Sequence, residues 1–201
     1  MHLDTHNINI DDSALVKQYR NGDSQALETL IIKYQGRIYN VILKICANPD
    51  DAVELTQETF VKVMENLDKF AGRSSFYTWI FRIAVNLTLN YCKRKVKLGF
   101  RSLEAEELGS DSVKNTLKSF LVNTSAPDPA IITQNKELCS IVINLLMKLD
   151  ENQRTVVVLR DIESMSYEKI STVTSVELGT VKSRLSRARN NLREMLEAIL
   201  K

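Results

Sequence analysis

Glycine is too sparse and too scattered in this chain to build a phosphate-binding turn. The six glycines are Gly22, Gly36, Gly72, Gly99, Gly109 and Gly179, no two closer than ten residues. Neither a P-loop nor a GxGxxG turn can form, and nucleotide-binding α/β folds lose their support. Cysteine is equally scarce: Cys46, Cys92 and Cys139 are far apart, odd in number and without a CxxC pair. That excludes a disulfide scaffold or a cysteine zinc site. The only histidines, His2 and His6, stand four apart in the tail formed by residues 1–12. No serine, cysteine or carboxylate constellation converges, so no catalytic residue, metal site or cofactor is expected and the chain does not read as an enzyme. No apolar run approaches the roughly 18 residues of a membrane helix. The opening MHLDTHNINIDD has no basic patch followed by an apolar stretch, so membrane insertion is not expected and the expected location is the cytoplasm. With 27 basic and 25 acidic residues the formal charge is +2, which excludes a histone-like polycation.

What remains is helical periodicity. A length of 201 residues suits one or two compact domains, and apolar residues recur at steps of three and four. Residues 13–98 read as a first unit. Asp23 caps a helix through Ala26, Leu30, Tyr34, Ile38, Ile42 and Ile45, Asn48-Pro49 opens a second toward Leu67, and a third runs from Ser74 or Ser75 to about Lys95. Residues 99–127, acidic and rich in serine, read as a flexible linker. Residues 128–201 form a second unit. Asp128-Pro129 restarts regular structure, Ile131 to Leu149 gives a helix, and Asp150 caps the next. Two more follow, Ser166 to Val173 and Leu178 to the end. In the last helix Leu178, Val181, Leu185, Ala188, Leu192, Met195 or Leu196, and Ile199 form one stripe, leaving Ser183, Ser186, Arg187 and Asn190 outward with Lys182 beside them. The expected fold class is all-α, two small helical domains joined by a flexible linker, the second containing a helix-turn-helix.

The balanced net charge conceals segregation. Between Asp68 and Glu104 there is no acid, while Lys69, Arg73, Arg82, Lys93, Arg94, Lys95, Lys97 and Arg101 lie inside. The same window holds Phe70, Phe76, Tyr77, Trp79, Phe81, Tyr91 and Phe100, seven of the thirteen aromatics. Cations interleaved with aromatics suit a backbone-tracking, base-stacking site for opened DNA strands. A second acid-free window, between Glu177 and Glu194, carries Lys182, Arg184, Arg187, Arg189 and Arg193. Short polar and cationic side chains at the start of a helix that follows a short helix and tight turn suit the major groove of duplex DNA. For individual residues both readings stay open: Phe76 and Trp79 serve either the core or the strands, and Arg184 and Arg189 flank the buried stripe.

The segment from Asp50 to Lys95, with its LTQETF and FYTWIFRIAVN runs, and the segment from Leu149 to Leu196, with GTVKSRLSRAR, together resemble the extracytoplasmic-function class of bacterial sigma factors. The resemblance covers both units in the right order across a linker. It implies a promoter-specificity subunit whose partners are bacterial RNA polymerase core, promoter DNA and an anti-sigma factor. It places the contact with polymerase core on Glu54, Gln57 and Glu58, with Leu55 at the edge. A helical wheel agrees, since Leu55 falls off the stripe of Val53, Phe60, Val63, Met64 and Leu67. It places minus-ten contacts between Phe70 and Lys95: Asn86 and Asn90 for base edges, Phe76 and Trp79 for propping the opened duplex, and Arg73, Arg82, Lys93, Arg94 and Lys95 for phosphates. Minus-thirty-five contacts fall on Lys182, Ser183, Ser186 and Arg187, with Arg184 alongside and Thr180 at the helix start for a phosphate. Two departures stand out: Arg73 follows the loop glycine where an acid is common, and Thr174-Ser175 occupies the turn where leucine-glycine is usual. A linker of this length spans about 30 Å as a coil and over about 100 Å extended, enough for the ~50 Å of one and a half duplex turns. The alternative is a stand-alone helix-turn-helix regulator with a dimerising or sensory first unit.

Overall fold

A computed structural model describes residues 11–99 and 141–200, and every regular element among them is helical. Helix starts follow local chemistry. Asp11 opens α1 (Asp12–Arg20) by accepting the Ser13 N–H, and Asp23 opens α2 (Ser24–Cys46) by accepting from Gln25. Asn48 caps α3 (Pro49–Asn66), whose proline occupies the first helical turn, where its missing N–H costs nothing. α4 spans Phe76–Gly99 and is preceded by Ser75, whose hydroxyl accepts the Thr78 N–H at 3.2 Å. In the second unit α5 covers 141–148. Asp150 caps α6 (Glu151–Val157), which loosens into a π-turn over Val158–Ile162. Ser166 caps α7 (Tyr167–Thr174), and α8 runs Leu178–Leu200.

Apolar periodicity gives no helix before Asp23, because α1 is short and carries one buried pair, Leu15 and Val16. It is held to α2 by Lys33, whose ammonium meets the Asp12 carboxylate at 2.7 Å. α2, α3 and α4 pack on one another around Ile38, Ile42, Phe60, Ile80 and Phe81. α6, α7 and α8 pack around Val156, Leu159, Ile170, Val181 and Leu185. The stripe of α8 is shorter than its periodicity: Val181, Leu185 and Ala188 are buried, while Leu196 and Ile199 are exposed because no described element covers the last turns. The Thr174-Ser175 departure is one of residue type and not of backbone conformation: Ser175 takes the left-handed region, at φ 56°, that glycine favours in such a turn. That conformation, costly without glycine, is held by the Ser171 hydroxyl, which donates to the Val176 carbonyl at 2.6 Å. The linker, the Asp128-Pro129 restart, the 131–140 part of the predicted Ile131–Leu149 helix, His2, His6 and Cys139 lie outside the described residues.

The two units share one buried apolar cluster, with α4 packed against α7 and α2 against α6.

Candidate nucleic-acid interface

The groove between α3 and α4 is where the first basic window becomes a site. It encloses about 380 Å³ and is lined by Lys62, Asn66, Lys69, Trp79, Ile83, Asn86, Leu87 and Asn90. Asn86 and Asn90 stand one turn apart on α4, so both carboxamides enter the same groove. The Trp79 ring lies 5.0 Å, centroid to centroid, from Phe70. A second depression, lined by Glu58, Leu87, Asn90, Lys93 and Arg94, continues from the first at Asn90. The arrangement offers amides able to donate and accept, an indole face, and ammonium groups at the rim, which is what an unstacked base and its phosphate require. The loop leading into the groove is fixed from behind by Arg20, whose guanidinium donates to the carbonyls of Leu67 at 3.1 Å, Asp68 at 3.2 Å and Phe70.

Of the residues expected here, Trp79, Asn86, Asn90, Lys93 and Arg94 line these depressions, and Arg73 and Arg82 are exposed. Lys62, Asn66 and Lys69 were missed as groove residues; only the pairing of α3 with α4 brings the first two in, four apart on α3. Asn66 donates to the Lys62 carbonyl at 2.9 Å, which leaves its amide oxygen to accept. Phe76 departs from expectation. It is 3% exposed and packs on Tyr34, Phe70 and Trp79 at 5.6, 6.1 and 5.8 Å. A side chain so enclosed supports the wall of the groove and cannot enter DNA. Lys95 is exposed but bonded to Asp51 at 2.9 Å, and this bond holds its ammonium pKa above the ordinary value.

The face expected to meet polymerase also needs correction. Leu55 is 3% exposed, inside the core rather than at the edge, whereas Val53 and Met64, expected within the stripe, are 46% and 41% exposed. The buried stripe of α3 is Ala52, Leu55, Thr59, Phe60 and Val63. Glu54, Gln57 and Glu58 are exposed as expected. Val53, Gln57, Val61 and Met64 fall within about 80° on the wheel, forming an apolar strip beside the acids.

In the second unit Lys182, Ser183, Ser186, Arg187 and Asn190 are all exposed on α8, while Arg184 and Thr180 are half-buried. Ser183 donates to the Thr180 carbonyl at 3.1 Å. Arg189 is engaged by Asp161 through a two-pronged contact, with Nε to Oδ2 at 3.3 Å.

Two helical units, one carrying an amide-and-aromatic groove and the other a helix-turn-helix with a polar outward face, fit a DNA-binding protein with one surface for strands and one for duplex. The family model described as Sigma-70 region 2 matches residues 30–97, and that described as Sigma-70, region 4 matches residues 140–192. The chain is 33% identical over 190 residues to the RNA polymerase sigma-H factor of Pseudomonas aeruginosa, covering 94% of this chain and 96% of that protein. It is 30% identical over 189 residues to the ECF RNA polymerase sigma-E factor of Haemophilus influenzae, covering 94% and 97%. In fold it is similar to the sigma factor RpoE solved in complex with the anti-sigma factor NepR from Bartonella quintana, with a TM-score of 0.62, 21% identity, and 85% and 96% of the two chains covered. The chain belongs to the sigma-70 family of RNA polymerase sigma factors. Within that family it is a factor of the extracytoplasmic-function class.

Proposed function

We propose that this sigma factor directs RNA polymerase core to its promoters through three separate surfaces. The exposed face of α3, with Glu54, Gln57 and Glu58 beside the apolar strip of Val53 and Met64, docks on core. The α3/α4 groove captures an unpaired base of the minus-ten element on Trp79, Asn86 and Asn90, with Lys69, Arg73, Arg82, Lys93 and Arg94 on phosphates. Lys182, Ser183, Ser186 and Arg187 of α8 enter the major groove of the minus-thirty-five element. The observation that carries this reading is the division of labour: groups suited to unstacked bases stand on one unit and groups suited to duplex edges on the other. The chain binds and positions; it supplies no reacting group. It acts in the cytoplasm with polymerase, and no helix among the described residues is long and apolar enough to cross a membrane. An anti-sigma factor restrains it, as a complex of that kind holds the Bartonella quintana relative.

Transcription by purified core, with and without this chain, tests the reading. Core plus chain should start at a small set of promoters, and the free chain should bind those promoters weakly. Tight, specific binding by the free chain with no new starts from core would instead make it a stand-alone regulator.

A further inference from the structure

We propose that Arg20 is a positioning residue for strand capture: from α1 it fixes the end of α3 and, through Phe70, holds the Trp79 ring on which an unpaired base stacks. α3 has no cation in its last turn, although the free carbonyls at a helix C-terminus favour one. Arg20, in the last turn of α1, supplies it from another element. A single nitrogen, Nη2, donates to the carbonyls of Leu67 at 3.1 Å, Asp68 at 3.2 Å and Phe70. Such bonds are charge-assisted and stronger than those between neutral groups.

The contact matters because little else holds this loop. The Lys69 N–H donates to the Asn66 carbonyl at 3.1 Å and the Phe70 N–H to the Leu67 carbonyl at 3.2 Å. Residues 71–74 make no backbone–backbone hydrogen bond among the described residues. Phe70 links the loop to the groove, its ring standing 5.0 Å from Trp79 and 6.1 Å from Phe76. Phe76 is enclosed by the core, so Phe70 is the neighbour of Trp79 that a loosened loop releases. Arg20 in turn hangs from a fixed helix. At the start of α1, Asp12 accepts from Lys33 at 2.7 Å and from the Tyr34 hydroxyl. At its end Gly22, at φ 96°, turns the chain so that the Asp23 N–H donates back to the Gln18 carbonyl at 3.1 Å. The Arg20 side chain itself is exposed, so removing its donors takes little from the core. The consequence for DNA rests on the strand-capturing groove proposed above; the hold on Trp79 does not.

Trp79 is the only tryptophan in the sequence, so its fluorescence in the free, full-length chain tests the hold without DNA or polymerase. Arg20→Met keeps the apolar stem and removes the donors. At wild-type helical content by circular dichroism, its emission should move to longer wavelength and acrylamide should quench it more strongly than in wild type. Phe70→Leu, which removes the intervening ring, should give the same signature, and adding Arg20→Met to it should change nothing further. In holoenzyme, Arg20→Met should weaken binding of a single-stranded minus-ten oligonucleotide about tenfold, and much less in a Trp79→Ala background. The slope of log K against log salt should match wild type, whereas loss of a phosphate contact flattens it by about 0.7 on a single strand. Wild-type quenching in both variants overturns the proposal, as does a flattened slope, an undiminished loss in the Trp79→Ala background, or unaltered binding by Arg20→Met. Failure of the groove reading shows separately, as a Trp79→Ala holoenzyme that holds the strand as tightly as wild type.

Discussion

Replacing Phe76 with alanine separates a core role from a strand-wedging one. The ring is 3% exposed and stands among Tyr34, Phe70 and Trp79. Its removal deletes buried surface and leaves a cavity that neighbouring helices cannot close, a cost of about 3–5 kcal/mol. At roughly 2–4 °C per kcal/mol for a chain of this size, the unfolding midpoint should fall by about 6–20 °C. Because the ring backs Trp79, minus-ten binding should weaken only as the fold loosens, and cooling should restore it. Trp79→Ala gives the contrasting pattern: it removes an indole face from the groove, worth about 1–3 kcal/mol per stacked base, and cooling should not restore binding. Thermal unfolding by circular dichroism, paired with anisotropy of a labelled single-stranded minus-ten oligonucleotide on holoenzyme at two temperatures, reads both quantities. A Phe76→Ala chain that melts within about 1 kcal/mol of wild type yet fails to hold the strand at low temperature would refute the reasoning.

Two further expectations concern the first unit. Val53→Asp together with Met64→Asp should weaken core binding at least tenfold in a pull-down titration while the unfolding midpoint stays within a few degrees, since both side chains are exposed; a large loss of stability would return them to the core. Burial pushes the Cys46 thiol up to about 11 from its ordinary 9.0. The folded state therefore holds this proton more tightly than the unfolded one. The resulting stabilisation is full below pH 9 and is lost as pH rises to about 11, some 2–3 kcal/mol over the window. The stability advantage of wild type over Cys46→Ala in denaturant melts should shrink across that range, and a constant difference would contradict it.

The helix starts were legible because capping is local. Asp23, Asn48 and Asp150 each precede a periodic apolar run and accept a backbone N–H where expected, and Ser166, placed at a helix start by periodicity alone, also caps its helix. The buried face of α3 was not, because hydrophobicity alone cannot choose between Val53 and Leu55, two residues and 200° apart. The choice is made by Ala52 and Thr59, which are small enough to admit close packing. The Thr59 hydroxyl, donating to the Leu55 carbonyl at 2.7 Å, becomes tolerable in the core. A wheel scored on apolar residues sees neither. Asn86 and Asn90 were legible as a one-turn pair, whereas Lys62 and Asn66 needed the packing of α3 on α4. The contacts of Arg37 with Glu163 and of Arg154 with Ile45 span 126 and 109 residues, and nothing local foretells them.

The same limit applies to charge. An acid-free window in sequence is not an unopposed surface in space, because acids from other elements reach in: Asp51 takes Lys95, and Asp161 takes Arg189. Phosphate neutralisation then falls to the cations that no acid engages in the described residues, and the salt dependence of binding counts them. Each phosphate contact on duplex DNA contributes about −0.9 to the slope of log K against log salt. Lys182 is exposed on the outward face of α8, so Lys182→Ala in holoenzyme on a minus-thirty-five duplex should flatten that slope by roughly one unit on every sequence. Arg189→Ala should leave the slope unchanged, since its guanidinium already neutralises Asp161. Arg187→Ala should instead relax discrimination at one promoter position by about 1–3 kcal/mol. If Arg189 proved the phosphate contact and Lys182 silent, the Asp161 pair would have to open on DNA, and the orientation of α8 in the groove would be rotated from the one its exposed face defines.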